Sequence, residues 1–310
     1  MAGLLNFARY GIDNSLAVAL DQCDARLKLT YAAITNVRRD NASMSWNTRS
    51  RQMALLGVLI GLTGCATSPT GQRQLRLFPD AKMAEMGVAS FAQIRKETPP
   101  SKDRRVNAYV RCVAAKVAAE ADAKQAWDVH VFESPQANAF ALPGGKIGVY
   151  TGMLKVASTQ DQLAAVLGHE VTHVTAEHGN ARVSAAYATQ AGLQVAQVLA
   201  GGLTTGKREL LGLLGLGAQY GILMPYGRGQ ETESDILGLR LMASAGFDPR
   251  GAVTLWQNMG KASGGKRPPE FLSTHPGHEQ RIQNLRKGMP QALALFEGAR
   301  RQGKIPRCKR

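Results

Sequence analysis

The sequence predicts a mostly helical α+β domain with a small β-sheet set beside one buried central helix. Three observations carry that expectation. Apolar residues at 163, 166, 167, 171 and 174 recur with a helical rhythm in the same stretch that holds His169 and His173. Residues 79–96, 104–121, 182–199, 230–242 and 248–259 also read as helices, and only residues 127–150 alternate as strands, broken by Pro143-Gly144-Gly145. Finally, 310 residues with 44% apolar content suffice for one sizeable core, while the 6% aromatic content is low without suggesting disorder.

In chain order, residues 1–43 carry no clear organisation and precede a second methionine, Met44. Arg49 and Arg51 then lead into the apolar run Met53–Leu62 and the ending Leu62-Thr63-Gly64-Cys65. A basic start, a ten-residue apolar core and small residues before the break make a secretory signal, too short to span a bilayer. We therefore expect residues 1–43 to be a mis-assigned leader, 44–64 a lipoprotein-type signal, 65–78 a tether, 79–300 the folded domain and 301–310 a basic tail. Two amphipathic helices separated by Thr98-Pro-Pro-Ser come next. The strand Trp127–Phe132 follows, then a second at Asn138–Leu142 and a third at Lys146–Tyr150. Asn138–Leu142 is the expected free edge of the sheet, although two core strands fit the pattern equally well. His130 reads as a surface strand histidine.

The central helix begins at Ser158-Thr159, where Thr159 and Gln162 form a capping box. Four residues advance a helix by about 40°, so His169 and His173 stand one turn apart on one face. Two neutral imidazoles placed this way suit one zinc ion, and Glu170 sits where a carboxylate can take a proton from water and return it to a leaving amine. Such chemistry belongs to a metallopeptidase. A catalytic zinc uses three protein ligands and keeps a fourth position open. His178 lies nine residues after His169, about 900° round a continuous helix, with no glycine between to break it, so it reads as supporting or structural. Glu231 and Asp235 share a face of a second helix; one suits the metal and the other the free ring nitrogen of a ligand histidine. A solvated acidic first turn is the plainer reading of Glu231 and Glu233.

Residues 182–199 continue the apolar pattern, and the glycine- and leucine-rich stretch 201–221 reads as a weakly specified hairpin, either packed core or a mobile lid. Lys207, Arg208 and Glu209 interrupt it, so it is no convincing membrane span. Pro276, at a helix first turn, makes His275 its cap.

Four ordered segments are similar to the zinc peptidase family of the CAAX prenyl proteases and HtpX, particularly its secreted bacterial lipoprotein branch. They are Asn138-Ala-Phe-Ala-Leu-Pro-Gly-Gly, His169-Glu-Val-Thr-His173 with His178 and Arg182, Pro225-Tyr-Gly-Arg228 running into Glu231 and Asp235, and Ser273-Thr-His275-Pro276 with Arg281. The resemblance spans roughly residues 70–290. It implies a zincin-like fold, one zinc ion per chain, Glu231 as the third ligand and Glu170 as the catalytic carboxylate. Ser234 and Gly227 depart from the usual residues at their positions. By the same resemblance His275 lies near the metal cleft. We expect it to contact substrate or transiently fill the fourth zinc position, giving a latent state, and expect Arg281 and Arg228 to hold this segment and the ligand helix to neighbouring carboxylates.

The net charge is +15, of which residues 1–64 contribute +3 and the rest +12. That balance suits a surface beside anionic headgroups or acidic partners. The basic residues are scattered and no nucleic-acid motif is visible, which excludes a nucleic-acid function. Leu62-Thr-Gly-Cys65 resembles a lipobox, with Cys65 the lipidated residue, and Ala66 after it implies anchoring at the periplasmic face of the outer membrane. In that compartment Cys112 and Cys308 are expected to pair and tie the tail to the first helices, two independent thiols being the alternative. The expected activity is zinc-dependent endoproteolysis of unfolded or misassembled envelope proteins, with the outer-membrane assembly machinery as a partner. A chaperone-like assembly factor with secondary proteolysis is the competing expectation.

Overall fold

The computed structural model describes residues 65–121, 125–199, 226–263, 270–275 and 278–310. The expected leader, signal, glycine-rich hairpin and Pro276 cap lie outside them. Two short strands, β1 (Cys65–Thr67) and β2 (Arg73–Leu75), form an antiparallel hairpin. Helices α1 (Asp80–Glu97) and α2 (Arg104–Ala118) follow, the latter capped by the Asp103 carboxylate, which accepts from the amides of Arg105 and Val106. Then come β3 (Asp128–Phe132), β4 (Ala139–Leu142), β5 (Lys146–Tyr150) and the short α3 (Met153–Val156). The remaining helices are α4 (Gln160–Thr175), α5 (His178–Leu199), α6 (Arg228–Ser244), α7 (Arg250–Ser263), α8 (Glu270–Thr274) and α9 (His278–Arg301). The protein is thus a mainly helical α+β domain, and among the described residues no helix is long and apolar enough to cross a membrane.

Helix α4 runs through the centre, with every residue from Gln162 to His173 buried. A helix apolar on all sides must be covered on all sides. Here α2, α6, α7 and β4 cover it, and α9 closes over α6. The closest approach is between Gly168 of α4 and Gly238 of α6. A Cβ on Gly238 would lie 2.7 Å from the amide nitrogen of His169, and one on Gly168 would lie 2.6 Å from the carbonyl oxygen of Gly238. That approach sets α6 one backbone away from the histidine face.

The three-stranded sheet has the order β3-β5-β4, with β3 parallel and β4 antiparallel to β5. Gly144 and Gly145, both at positive φ, make the β4–β5 turn. In an antiparallel pair the hydrogen-bonded residues alternate, and the amide of Tyr150 donates to Asn138. Register therefore turns Asn138 and Phe140 toward β5 and Ala139 and Ala141 toward the free edge.

Several expectations need correction. Thr159 caps α4 by accepting from the Gln162 amide, but the Gln162 carboxamide accepts from the backbone and hydroxyl of Ser158 rather than from Thr159, so the reciprocal bond is displaced by one residue. The central helix does not run on: it ends at Thr175, turns at Ala176-Glu177 and restarts at His178. Glu177 itself takes the left-handed conformation (φ 56°) that glycine adopts most readily, so the helix breaks without one, and its carboxylate pairs with Arg76.

Neither chain segment flanking the expected domain hangs free. Residues 65–78 are docked: Gln72 donates to the carbonyl of Gly229, Gln74 to that of Ala176, and the amide of Leu77 to Ser184. At the other end Lys304 pairs with Glu120, Gln160 donates to the carbonyl of Pro306, and Arg310 donates to that of Leu154. Cys308 is joined to Cys112 by a disulfide that closes 196 residues, Cα to Cα 5.7 Å.

Candidate metal centre

The two histidines of α4 face a chamber roofed by α6, α8 and α9. His169 Nε2 and His173 Nε2 stand 3.0 Å apart. Glu231, on the first turn of α6, places Oε2 3.5 Å from His169 Nε2 and Oε1 3.4 Å from His173 Nε2. His275, just past α8, brings Nδ1 to 3.1 Å from His169 Nε2 and 3.0 Å from Glu231 Oε1. Donor atoms of these four residues all lie within 4.8 Å of one another. Zinc bonds of 2.0–2.1 Å in a tetrahedron put neighbouring donor atoms about 3.3 Å apart. The residues present therefore fit a zinc ion in both donor chemistry and spacing.

Burial and charge act together here. Glu170, His173 and Glu231 are each 1% exposed, His275 2% and His169 4%. Burial holds the His173 pKa well below its ordinary value, leaving a neutral ring with a free lone pair. Burial opposes ionisation of Glu231, but His275, Arg281 and His169 outweigh it and hold the carboxyl far below its usual range. For Glu170 burial outweighs the pull of His169 and Arg281, and raises it to about 7. Its Oε2 accepts from the amide of Ala141 on the outer edge of β4, at 3.2 Å, while Oε1 lies 3.4 Å from His275 Nε2. A carboxylate beside the donor cluster, poised between its two protonation states, suits proton transfer.

The other expected residues divide. Asp235 lies one turn along α6 from Glu231, 3.2 Å from His169 Nδ1, and Arg281 of α9 bonds both carboxylates. The solvated acidic turn does not exist, since Glu231 and Glu233 are both buried. His178 sits next to His173, its Nδ1 2.9 Å from His173 Nδ1, and outside the donor cluster. Asn138 lies at the start of β4, where its side-chain oxygen accepts from the amide of Ala139. Arg228 does not hold the ligand helix: it is exposed, and no ion pair joins it to the site among the described residues. His130 is half-buried on β3 and pairs with Asp128.

Aromatic walls were not foreseen. Tyr226 stacks on His173 with centroids 3.6 Å apart, and the Arg182 guanidinium covers the tyrosine at 3.4 Å. Phe271 stacks on His275 at 4.3 Å, and Trp256 supports Arg281 at 3.8 Å. Tyr226 and Arg182 fall within the motif segments, a signal that places them near the centre without revealing the stacking. Beyond the end of β4 a surface groove of about 530 Å³ opens between Asp80, Pro143, Gly144 and Glu177.

A helical α+β scaffold that buries a zinc-sized donor set beside an acid-base carboxylate has the architecture of a zinc metallopeptidase centre. Residues 100–288 match the model of peptidase family M48, and the chain belongs to that family. Over 172 residues it is 38% identical to the mitochondrial metalloendopeptidase OMA1 of Schizosaccharomyces pombe, a match covering 55% of this chain and 49% of the relative. The bovine mitochondrial metalloendopeptidase OMA1 is 37% identical over 180 residues, 55% of this chain and 34% of the relative. A bacterial relative, the beta-barrel assembly-enhancing protease of Yersinia pestis, is 30% identical over 214 residues, 67% of this chain and 43% of the relative. The chain spans about a third to a half of the length of these relatives. Of these matches the mitochondrial ones are the higher in identity, so the family expected from the motifs is met while a secreted bacterial branch is not singled out.

Proposed function

We propose that this chain is a zinc metalloendopeptidase acting in a bacterial envelope, cleaving misfolded or misassembled outer-membrane and periplasmic proteins. The observation that carries the chemistry is the convergence of His169, His173 and Glu231 donor atoms beside Glu170. When bound there, zinc supplies Lewis acidity toward the scissile carbonyl and the attacking water. His169, His173 and Glu231 hold it. Asp235, itself held by Arg281, orients His169 through Nδ1. Glu170 takes the proton of the attacking water and delivers it to the departing amine, with the Ala141 amide steadying one of its oxygens. The outward carbonyls of Ala139 and Ala141 accept amide protons from an extended substrate chain laid along β4, a mode that reads shape more than side-chain identity. The groove beyond Pro143 extends that track.

Burial of every donor, with the ring of His275 inside the cluster, supports a resting state in which His275 occupies the fourth position. Movement of α8 would then expose the site. His275→Ala should raise proteolysis of an unfolded protein, whereas unchanged or lower activity argues against latency.

The cellular assignment rests on the lipobox-like ending at Cys65, the disulfide-bonded tail, and the bacterial relatives whose name ties them to β-barrel assembly. Anchoring through Cys65 at the periplasmic face of the outer membrane completes the reading. Its test is a trap: Glu170→Gln, expressed in the native envelope and crosslinked. Enrichment of misassembled outer-membrane proteins or their assembly machinery over the wild-type background is expected. Absence of such enrichment while the variant retains zinc would contradict it, and rescue of an envelope defect by Glu170→Gln would favour the assembly-factor reading instead.

A further inference from the structure

A connected polar chain outside the donor cluster begins at the N-terminal hairpin and ends at His173. Glu233, whose side chain is fully buried, accepts from the amide of Thr70 at 2.9 Å and from the hydroxyls of Ser68 and Thr70. It also meets His178 Nε2 at 3.1 Å. An ionised carboxylate only accepts, so His178 Nε2 carries a hydrogen. The same ring turns Nδ1 to within 2.9 Å of His173 Nδ1. One of those two nitrogens must donate and the other accept. A neutral imidazole protonated at Nε2 has its lone pair at Nδ1, so His178 accepts and His173 Nδ1 donates. The Ser234 hydroxyl, 3.4 Å from His178 Nδ1, is a donor too and agrees with this direction.

We infer that Glu233 and His178 are positioning residues that fix the tautomer of His173, leaving its Nε2 lone pair facing the metal, and that the Ser68–Gln72 turn of the docked hairpin holds the outer end of this chain. The inference rests on the metal-centre reading above. It is independent of Asp235, which serves His169 from the opposite side. Glu233 thus repeats for one histidine what Asp235 does for the other, and the two carboxylates lie two residues apart on α6. The hairpin is thereby coupled to the metal: segments that undock residues 68–72 loosen the ring whose lone pair binds.

The test compares His178→Leu with His178→Gln in the full chain. A glutamine amide oxygen can accept from His173 Nδ1 while its NH2 donates to Glu233; leucine fills space and does neither. Zinc affinity is read by chelator competition, the visible spectrum of the cobalt(II)-substituted protein reports the ligand field, and unfolding of the metal-free protein reports folding alone. We expect His178→Leu to weaken zinc binding by about 10–100-fold with an altered cobalt spectrum, and His178→Gln to stay within a few-fold of wild type. Ser68→Ala, at the hairpin end of the chain, should cost about threefold without shifting the spectrum and remains informative if the leucine variant does not fold. Equal zinc affinities for the leucine and glutamine variants would overturn the inference, as would wild-type affinity in Ser68→Ala when the leucine variant does not fold. Failure of the wild type itself to bind zinc would instead overturn the metal-centre reading.

Discussion

Glu170 and Arg281 show how differently two buried charges can serve one centre. Glu170 is an oxygen acceptor with one weak partner, the Ala141 amide, and burial leaves it near the middle of its titration. Glu170→Gln removes the proton acceptor while keeping shape, so hydrolysis of an unfolded protein should fall by at least about 10²–10⁴-fold with zinc retained. Arg281, 2% exposed, holds Glu231 and Asp235 together. Arg281→Leu leaves two buried carboxylates without their counterion, and denaturant unfolding should report a loss of about 3–5 kcal/mol. A loss below about 1 kcal/mol would mean that the histidines alone neutralise the pair. His169, Glu170 and His173 were legible because their spacing on a helix is itself the signal. Arg228 was misjudged because a basic residue next to an acidic helix start looks the same in sequence whether its side chain turns inward or, as here, outward to solvent.

At the scale of elements, the crossing of α4 and α6 decides whether Glu231 reaches the histidines. Gly168, next to His169, makes space for that crossing, but its pairing with Gly238 was not legible, because nothing in the sequence says which residue of another helix lies opposite. Gly238→Ala would set a methyl 2.7 Å from the His169 amide nitrogen and force the helices apart. The expected cost is about 1–3 kcal/mol in unfolding, accompanied by weaker zinc binding. A variant with unchanged stability and affinity would show that the crossing tolerates a wider spacing. The strands were legible from alternation and the Pro-Gly-Gly turn, whereas the end of α4 was not. Glu177 adopts left-handed geometry without being glycine because the surrounding fold, including Arg76, holds it there. That tertiary determinant also brings His178 back beside His173, a return that five residues of continuous helix, about 500°, would not allow.

Across the whole molecule, both ends of the described chain fold back onto the catalytic helices. The hairpin at residues 65–75 meets α6 and the α4–α5 corner, and the C-terminal segment crosses the start of α4 before the Cys112–Cys308 bond. Composition suggested a tether and a basic tail because short polar stretches look like linkers; their docking depends on backbone groups, which carry no sequence signature. Closing 196 residues with a disulfide constrains the unfolded chain strongly, so its reduction should cost about 2–5 kcal/mol and lower the thermal midpoint by several degrees. Cys112→Ser should show the lower midpoint with no further response to reductant; a midpoint equal to the oxidised wild type would contradict this. A basic surface was readable from charge alone, but which side chains face inward, as Arg281 does, was not.

The central claim is that His169, His173 and Glu231 form the zinc centre on which Glu170 acts. Elemental analysis of purified wild type, Glu170→Gln and Glu231→Ala tests it most directly. The account predicts one zinc per chain in the first two and a substoichiometric amount in the third, whereas stoichiometric zinc in Glu231→Ala would contradict it.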